Sequence, residues 1–419
     1  MKPISVPFRS LLIKSLLLFT TISFSYEIAN AQSIEAANKD FNIAFKAAKK
    51  LYAPDGRSKV FDIQMKEGKG CYILTGYTTE QIAKDSIVSF LRRCDLKITD
   101  SIELLPSKKL EGKLYGIAIQ SVINLRMDND YAAEAGTQIM MGAPLKLLRK
   151  SGGWSQVITP EGYISWVTSG SLKEMTIKEF NEYTAKPKVI VTAKYVTVTD
   201  APSINSQQVC DAVWGNLFID LGKSGKFRKI ALADGRIGYI PAINLQNFTQ
   251  WLSEHSNPTA DDIIATAKQF VGVPYMWGAT SIKAVDCSGF TKSVYFLNGL
   301  ILARDASQQC YTGDNVDISK YVNNNDYTLE ALANLKKGDL IFFGRKATAD
   351  RKERISHVGI YIGEGIFIHS ATSVRINSLI PSASNYYDGS TRLVRAQRIL
   401  GNQEKGKGIV SIIKSDYIK

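Results

Sequence analysis

The sequence predicts a multidomain α+β protein in which a small α+β module and two small β-barrels precede a larger α+β domain. The length of 419 residues exceeds what one ordinary core accommodates. A pattern of short strands occurs twice at an offset of 73 residues, and helical and alternating apolar patterns are mixed towards the C-terminus. We place the domains at 32–114, 115–180, 181–248 and 259–400.

Residues 1–31 have the features of a signal peptide. Three bases precede a short apolar run at 16–19, and Ala29-Asn30-Ala31 fits the small-x-small pattern that signal peptidase cleaves. A membrane anchor is the alternative, but the apolar core is too short to span a bilayer. No cysteine lies near the cleavage point to carry a lipid. We therefore expect export to the periplasm or the medium, without a stable membrane anchor.

The charge of the chain bears on its partners. The net charge is +13, and it stays positive when the three bases and one acid of residues 1–31 are removed. Lys and Arg are spread along the chain, with no arginine-rich helix and no basic run interleaved with aromatics. We expect no nucleic-acid partner, and an anionic envelope surface fits an exported protein better. We also expect a monomer.

The cysteines and histidines give little support for a disulfide framework or a metal site. Five cysteines are few and scattered, and their odd number leaves at least one free thiol. Cys71 and Cys94 are either a bridge or two buried thiols. The three histidines lack close paired spacing, and there is no Cys-x-x-Cys. We predict no metal and no cofactor.

The first module is predicted from apolar residues at helical spacing in 34–51 and 80–93, on either side of an apolar stretch at 71–74. No chemistry can be assigned to it.

The internal repeat follows the first module. Its matching positions are Gly142 with Gly215, Lys150-Ser151-Gly152 with Lys223-Ser224-Gly225, Trp154 with Phe227, Gly162 with Gly235, and Trp166 with Tyr239. Five- or six-stranded barrels fit this pattern. Both copies resemble bacterial SH3-like domains, which commonly accompany cell-wall enzymes.

The last domain begins with a helix after Thr259-Ala260-Asp261-Asp262, which forms a capping box. A second helix is predicted from Asp286-Cys287-Ser288-Gly289 to Asn298-Gly299, with Asp286 as its cap. Cys287 then lies in the first turn, where unpaired N–H groups and the helix dipole favour a thiolate. A cysteine at a helix start is often inert, so this feature alone does not establish catalysis.

Two histidines strengthen the case for a catalytic thiol. Residues 355–371 predict two strands joined by a turn near Gly363, and a hairpin centred there pairs His357 with His369. Both imidazoles would lie on one face of the sheet. His357 would take the proton of Cys287, and His369 would orient His357. The alternative is two unrelated strand histidines.

These residues resemble the NlpC family of papain-like bacterial cell-wall cysteine peptidases over 259–400. The matching segments, in order, are Pro274-Tyr275-Met276-Trp277-Gly278, Asp286-Cys287-Ser288-Gly289, Arg304-Asp305-Ala306-Ser307 with Gln309, and Ser356-His357-Val358-Gly359. Ala279 and Ala303 stand where the family usually has glycine and proline. The resemblance implies a papain-like fold, with Cys287, His357 and His369 as catalytic residues.

Two SH3-like units before such a domain recur among relatives that cut between γ-D-glutamate and a diamino acid in peptidoglycan stem peptides with a free N-terminal L-alanine. An ammonium group that leaves water needs buried acceptors, and Asp286 and Ser288 flank Cys287 at a suitable reach. In these relatives the first SH3-like unit lends an acid and a tyrosine that close the pocket, and the resemblance implies Glu134 and Tyr163 for these roles. It places Arg304, Asp305 and Ser307 on the substrate side, where Arg304 would pair with a peptide carboxylate. A solvated loop residue is the alternative interpretation of Glu134, and Tyr275 is either a core aromatic or a hydroxyl donor near the thiol.

The predicted function is an exported γ-D-glutamyl-L-diamino acid endopeptidase. Two alternatives stay open at this point. One is a wall-binding module with an inert peptidase domain. The other is an acyltransferase that uses the same thioester chemistry, because an acceptor amine leaves no motif in the sequence.

Overall fold

A computed structural model describes residues 34–403 and 408–417, which form two compact units divided between Leu105 and Pro106. The predicted signal peptide lies outside these residues. The end predicted for the first module, residue 114, falls beyond the division, inside the second unit. None of the helices in the described ranges is long and apolar enough to cross a membrane.

The first unit contains two helices and a three-stranded sheet. These are α1 (34–52), β1 (Phe61–Gly68), β2 (Cys71–Thr78), α2 (Gln81–Arg93) and β3 (Ile98–Leu104). β1 and β2 are antiparallel, whereas β2 and β3 are parallel because α2 forms the crossover between them. Both predicted helices are confirmed. The thiols of Cys71 and Cys94 are free, so the bridge alternative is not realised.

The second unit begins with the internal repeat. The first repeat has β4 (Tyr115–Ala118), β5 (Val122–Arg126), β6 (Ala135–Met140), β7 (Pro144–Ser151), β8 (Trp154–Ile158), β9 (Ile164–Thr168) and β10 (Leu172–Met175). Helix α3 (Ile177–Thr184) leads to the second repeat, which has β11 (Lys188–Val191), β12 (Tyr195–Thr199), β13 (Gln208–Val213), β14 (Leu217–Ser224), β15 (Phe227–Ala231), β16 (Ile237–Pro241) and β17 (Leu245–Asn247).

Every strand of the second repeat begins 73 residues after its counterpart, so the predicted offset is confirmed. The strand orders correspond too: β10-β4-β7-β8-β9-β5-β6 in one sheet and β17-β11-β14-β15-β16-β12-β13 in the other. Each sheet has seven strands rather than the five or six expected. Short strands such as β17, which has three residues, are difficult to recognise as apolar alternation.

The rest of the second unit is built on a six-stranded antiparallel sheet in the order β21-β26-β22-β23-β24-β25. Its strands are β21 (Asp314–Asn315), β22 (Leu340–Arg345), β23 (Arg354–Gly363), β24 (Ile366–Ala371), β25 (Ser373–Ser378) and β26 (Leu393–Arg398). Two short pairs accompany it, β18 (Thr280–Ser281) with β19 (Ala284–Val285), and β20 (Leu300–Ile301) with β27 (Val410–Ser411).

The helices of this part are α4 (Phe248–Glu254), α5 (Ala260–Gln269), α6 (Cys287–Phe296), α7 (Ala306–Gln309) and α8 (Ser319–Asn324). The predicted capping box before α5 is confirmed, since Thr259 and Asp262 exchange side-chain to main-chain hydrogen bonds. Helix α6 lies against β23 and β24. Its residues Phe290 and Val294 share a buried core with Val358 and Ile368 of the sheet. This packing fixes the start of α6 beside the strand that carries His357.

The β23–β24 hairpin has a different register from the predicted one. His369 lies opposite Gly359 rather than opposite His357. The cause is the turn, in which residues 363–365 all have positive φ and the pairing shifts just before Gly363. A shift of two residues keeps the same side chains on each face, because side chains alternate with a period of two. The two histidines are therefore diagonal neighbours on one face.

Candidate active site

The nucleophile candidate is the first residue of α6. Asp286 caps the helix by accepting a hydrogen bond from the N–H of Gly289 at 2.7 Å, as predicted. A Cβ on Gly289 would lie 2.0 Å from the carbonyl oxygen of Ala279, so the helix start packs directly on main chain. The glycine of the Asp-Cys-Ser-Gly run thus permits the close approach that holds Cys287 in place.

The environment of the Cys287 thiol differs from the predicted one. The side chain is buried, and burial together with the nearby Asp286 carboxylate raises its pKa to about 12. The positive charge of Arg304, and to a smaller extent the main-chain N–H groups of Ser288 and Val358, lower the pKa but do not outweigh this increase. The prediction considered only the helix start, which favours the thiolate, and omitted desolvation, which favours the neutral thiol.

His357 and His369 form a hydrogen-bonded pair. Nε2 of His357 lies 2.6 Å from Nδ1 of His369. His369 is fully buried, whereas His357 is partly exposed. Nε2 of His369 lies 2.9 Å from Oδ1 of Asn377 on β25. The rings are surrounded by the aromatic side chains of Phe343, Phe367 and Tyr387.

The same surroundings keep both imidazoles neutral. Burial lowers the pKa of His357 to about 3, with a further contribution from His369. Burial also lowers the pKa of His369 to about 4, against the opposing effect of its hydrogen bond to Asn377. The resting site therefore holds a neutral thiol and neutral imidazoles.

This pair should make the free energy of unfolding depend on pH. In the unfolded chain both histidines bind protons near pH 6.5, whereas in the folded protein they do so only near pH 3 and 4. The pair therefore makes its full contribution to the free energy of unfolding above pH 6.5. This contribution declines as the pH falls towards 4, by up to about 1.4 kcal/mol per pH unit for each histidine.

Urea unfolding between pH 7.5 and pH 5 measures this slope. His369→Asn should roughly halve the contribution of the pair, because one of the two titrating groups is gone. His255→Asn is the matched control, since it removes a histidine outside the pair. A slope that responds equally to both substitutions would contradict the assignment.

A buried ion pair lies beside the nucleophile. The guanidinium of Arg304 contacts both carboxylate oxygens of Asp286, at 3.2 and 2.5 Å, and donates to Oγ of Ser288 at 3.0 Å. Only 2% of the Arg304 side chain and 6% of the Asp286 side chain are exposed. Asp286 also accepts from the N–H of Gly278 at 2.9 Å. The predicted pairing of Arg304 with a peptide carboxylate stays a prediction, and in the structure Asp286 accepts from Nη1 and Nη2 of the guanidinium.

The neighbouring residues of the Arg304 segment connect it to α6. Asp305 caps α7 through a capping box with Gln308, and Ser307 lies partly exposed in that helix. The side chain of Gln309 is fully buried and donates to the carbonyl of Ser288 at 3.1 Å. The segment therefore stabilises the first turn of α6 through hydrogen bonds.

The first repeat makes direct contacts with the segment that precedes Cys287. Nε1 of Trp277 donates to Oε1 of Glu134 at 2.7 Å. Thr280 bonds to both the side chain and the carbonyl of Gln138, at 2.9 and 3.1 Å. A Cβ on Gly278, whose φ is +81°, would lie 2.4 Å from the carbonyl oxygen of Ala135. Glu134 is exposed and has Trp277 as a hydrogen-bond partner.

The two predicted tyrosines occupy different environments. Tyr163 is buried, and its hydroxyl lies 3.7 Å from the sulfur of Met127. Tyr275 is partly exposed. Burial, together with the nearby Cys287 and Asp286, raises the pKa of its phenol to about 12. Tyr275 thus remains a neutral hydroxyl close to Cys287.

An ion pair joins the first repeat to the nucleophile helix directly. Nζ of Lys292 on α6 lies 3.1 Å from Oε1 of Glu161, and the side chains are 13% and 3% exposed. This contact lies about one and a half turns along α6 from Cys287. The helix that carries the thiol is therefore held from one side by the sheet and from the other by the repeat.

Asn377 was missed by the sequence analysis. It lies on β25, opposite Phe367 and two residues beyond the partner of His369. The period of two would have placed it on the histidine face, but residues 373–378 were not assigned to a strand.

Among residues 34–403 and 408–417, no group of three or more His, Cys, Asp or Glu side chains could hold a metal ion.

Comparison with known proteins gives a consistent result. Residues 272–396 match the model of the NlpC/P60 family. A gamma-D-glutamyl-L-lysine dipeptidyl-peptidase of Bacillus cereus is 31% identical over 254 residues, which are 58% of this chain and 70% of that protein. A protein of the same name from Bacillus subtilis is 25% identical over 71% of this chain and 91% of its own length.

Solved structures agree on the fold. An NlpC/P60 family protein from Bacillus cereus superposes with a TM-score of 0.55 at 24% identity, over 68% of this chain and 99% of that one. An NlpC/P60 endopeptidase from Photobacterium damselae superposes with a TM-score of 0.50 at 13% identity, over 74% and 76% of the two chains. These likenesses extend beyond the six-stranded sheet and its helices.

Proposed function

Because this chain belongs to the NlpC/P60 family of cysteine peptidases, we propose that it hydrolyses the amide between γ-D-glutamate and a diamino acid in peptidoglycan stem peptides. The observation that carries the proposal is the buried thiol of Cys287 beside the hydrogen-bonded pair of His357 and His369. We further propose that the enzyme acts after export, as the N-terminal sequence and the peptidoglycan substrate both suggest.

The proposed chemistry is acyl transfer in two steps. The thiol of Cys287 gives its proton to His357 as the sulfur attacks the amide carbon, and the N–H of Cys287 donates to the developing oxyanion. His357 then protonates the leaving amine, which leaves a thioester on Cys287. Water attacks the thioester while His357 takes its proton, and the γ-D-glutamyl carboxylate is released with the thiol restored.

Recognition of a free N-terminal L-alanine is the finer part of the proposal. An ammonium group that leaves water needs carboxylate and hydrogen-bond acceptors in its place. Glu134 supplies a carboxylate that Trp277 orients next to the nucleophile segment. Asp286 and Ser288 are engaged with Arg304, so Glu134 is the more accessible acceptor.

The test uses L-Ala-γ-D-Glu-diaminopimelate and its N-acetylated form. We expect cleavage of the free-amine peptide between glutamate and diaminopimelate, and a kcat/KM about 10 to 100 times lower for the acetylated one. Equal cleavage would refute the amine requirement. Cleavage of neither would favour a wall-binding module, and a new amide product with an added amine would favour acyl transfer.

Glu134→Gln separates recognition from chemistry in the same assay. Glutamine keeps an oxygen for Trp277 but removes the charge, so KM for the free-amine peptide should rise roughly 10-fold or more with a smaller change in kcat. The matched control is Glu182→Gln, an exposed glutamate of α3. If both variants leave KM unchanged, Glu134 has no part in binding the amine.

A further inference from the structure

We infer that Asn377, held by the carbonyl of Asn385, is a positioning residue that fixes the protons of the histidine pair and so leaves Nδ1 of His357 as the base. The inference refines the proposed function, on which it rests for its catalytic meaning. Its structural content, the tautomer of each histidine, can be measured without substrate.

The argument starts from the orientation of the Asn377 amide. Its Nδ2 lies 2.8 Å from the main-chain oxygen of Asn385. A main-chain carbonyl accepts hydrogen bonds and never donates them, so the NH₂ group must face it. The amide oxygen is then turned towards Nε2 of His369, at 2.9 Å. An amide oxygen only accepts, so this ring nitrogen must carry a proton.

The proton on His369 determines the proton on His357. A neutral imidazole carries one N–H, so Nδ1 of His369 has a lone pair. It lies 2.6 Å from Nε2 of His357, which must therefore donate. The lone pair of neutral His357 is then on Nδ1. Helix α6, which begins at Cys287, packs against β23, the strand that carries His357.

Each member of this chain of hydrogen bonds needs the one before it. Without the acceptor at Asn377, Nε2 of His369 loses its partner and either ring nitrogen can hold the proton. A proton on Nδ1 of His369 would face Nε2 of His357 and favour the wrong tautomer of the base. A merely structural asparagine, which only joins β25 to the segment at Asn385, would not affect these tautomers.

The experiment is nitrogen-15 NMR of histidine-labelled full-length protein, whose three histidines give a simple spectrum. His255 is an internal reference, because its Nδ1 lies 2.8 Å from the carbonyl oxygen of Trp251 and must carry the proton. We expect the opposite tautomer, with the proton on Nε2, for both His357 and His369. A proton on Nδ1 of His357 in the wild-type protein would overturn the inference.

Variants of Asn377 complete the test. Asn377→Leu removes the acceptor and should give mixed tautomers at His369, with kcat reduced roughly 10-fold to 100-fold and KM nearly unchanged. Asn377→Asp keeps an acceptor and should retain the Nε2–H tautomer. The control is Asn334→Leu, which removes an exposed asparagine bonded to the carbonyl of Asp317.

The outcomes separate the inference from the proposed function. Unchanged tautomers and unchanged kcat in Asn377→Leu would overturn the inference even if the peptide is cleaved. The expected tautomers in a protein that cleaves no peptide would leave the inference standing and refute the function. If Asn377→Leu does not fold, the wild-type and Asn377→Asp spectra still decide the question.

Discussion

Replacing Cys287 by alanine should reduce hydrolysis of L-Ala-γ-D-Glu-diaminopimelate by at least about 10⁴-fold, because no thioester can form without the sulfur. The fold should survive. Alanine is a good helix former at the start of α6, and the caps made by Asp286 and Gly289 do not involve the thiol. Steady-state kinetics and thermal unfolding of the same preparation measure both effects.

Cys210→Ala is the control for this experiment, since it removes a partly buried thiol from β13 of the second repeat. It should keep wild-type turnover. The Cys287→Ala variant should still bind the peptide, because the groups proposed to bind the amine are intact. Calorimetry measures this binding. Substantial turnover by Cys287→Ala would show that another residue is the nucleophile.

Replacing Arg304 by methionine should lower the free energy of unfolding by about 3–5 kcal/mol. The substitution leaves the Asp286 carboxylate buried without its cationic partner. Removing one partner of a buried ion pair destabilises a protein far more than removing one partner of an exposed pair. It should also lower turnover, because Asp286 caps the helix that carries Cys287. Urea unfolding at pH 7 gives the stability change directly.

Two companion variants test the cause of that loss. Adding Asp286→Asn to Arg304→Met removes the unpaired charge and should restore part of the stability. Arg236→Met is the matched control, because Arg236 and Asp234 are 42% and 22% exposed and such pairs contribute about 1 kcal/mol or less. An equal decrease in the free energy of unfolding for Arg304→Met and Arg236→Met would show that the buried pair contributes no more to stability than the exposed one.

Much of the fold could be predicted because the relevant signals are local. The repeat was visible at its offset of 73 because equivalent strands keep the same spacing in both copies. Helix α6 was predicted from the cap at Asp286 and the apolar spacing after it, since capping and periodicity depend on residues within a few positions of each other. The register of the histidine hairpin was wrong by two residues, because turn geometry depends on φ values that the sequence does not specify.

The candidate site was predicted less completely than the fold. Cys287, His357 and His369 were named from the sequence; Cys287 begins α6, and the two histidines are hydrogen-bonded to each other on the strands against which α6 packs. The pairing of Arg304 with Asp286 was not foreseen, because a bond between residues 18 positions apart depends on how α6 and α7 pack. Asn377 was missed for a similar reason, since its relation to His369 exists only once β24 and β25 pair.

The Asp-Cys-Ser-Gly run illustrates the division between sequence and tertiary structure. The sequence alone determined the residue types, their place at a helix start and the periodicity that puts both histidines on one face. Tertiary packing decided the ionisation of the thiol, because burial raises the pKa of Cys287 against the effect of the helix start. It also decided which polar groups pair, since hydrogen bonds and desolvation depend on distances between segments that the order of residues does not contain.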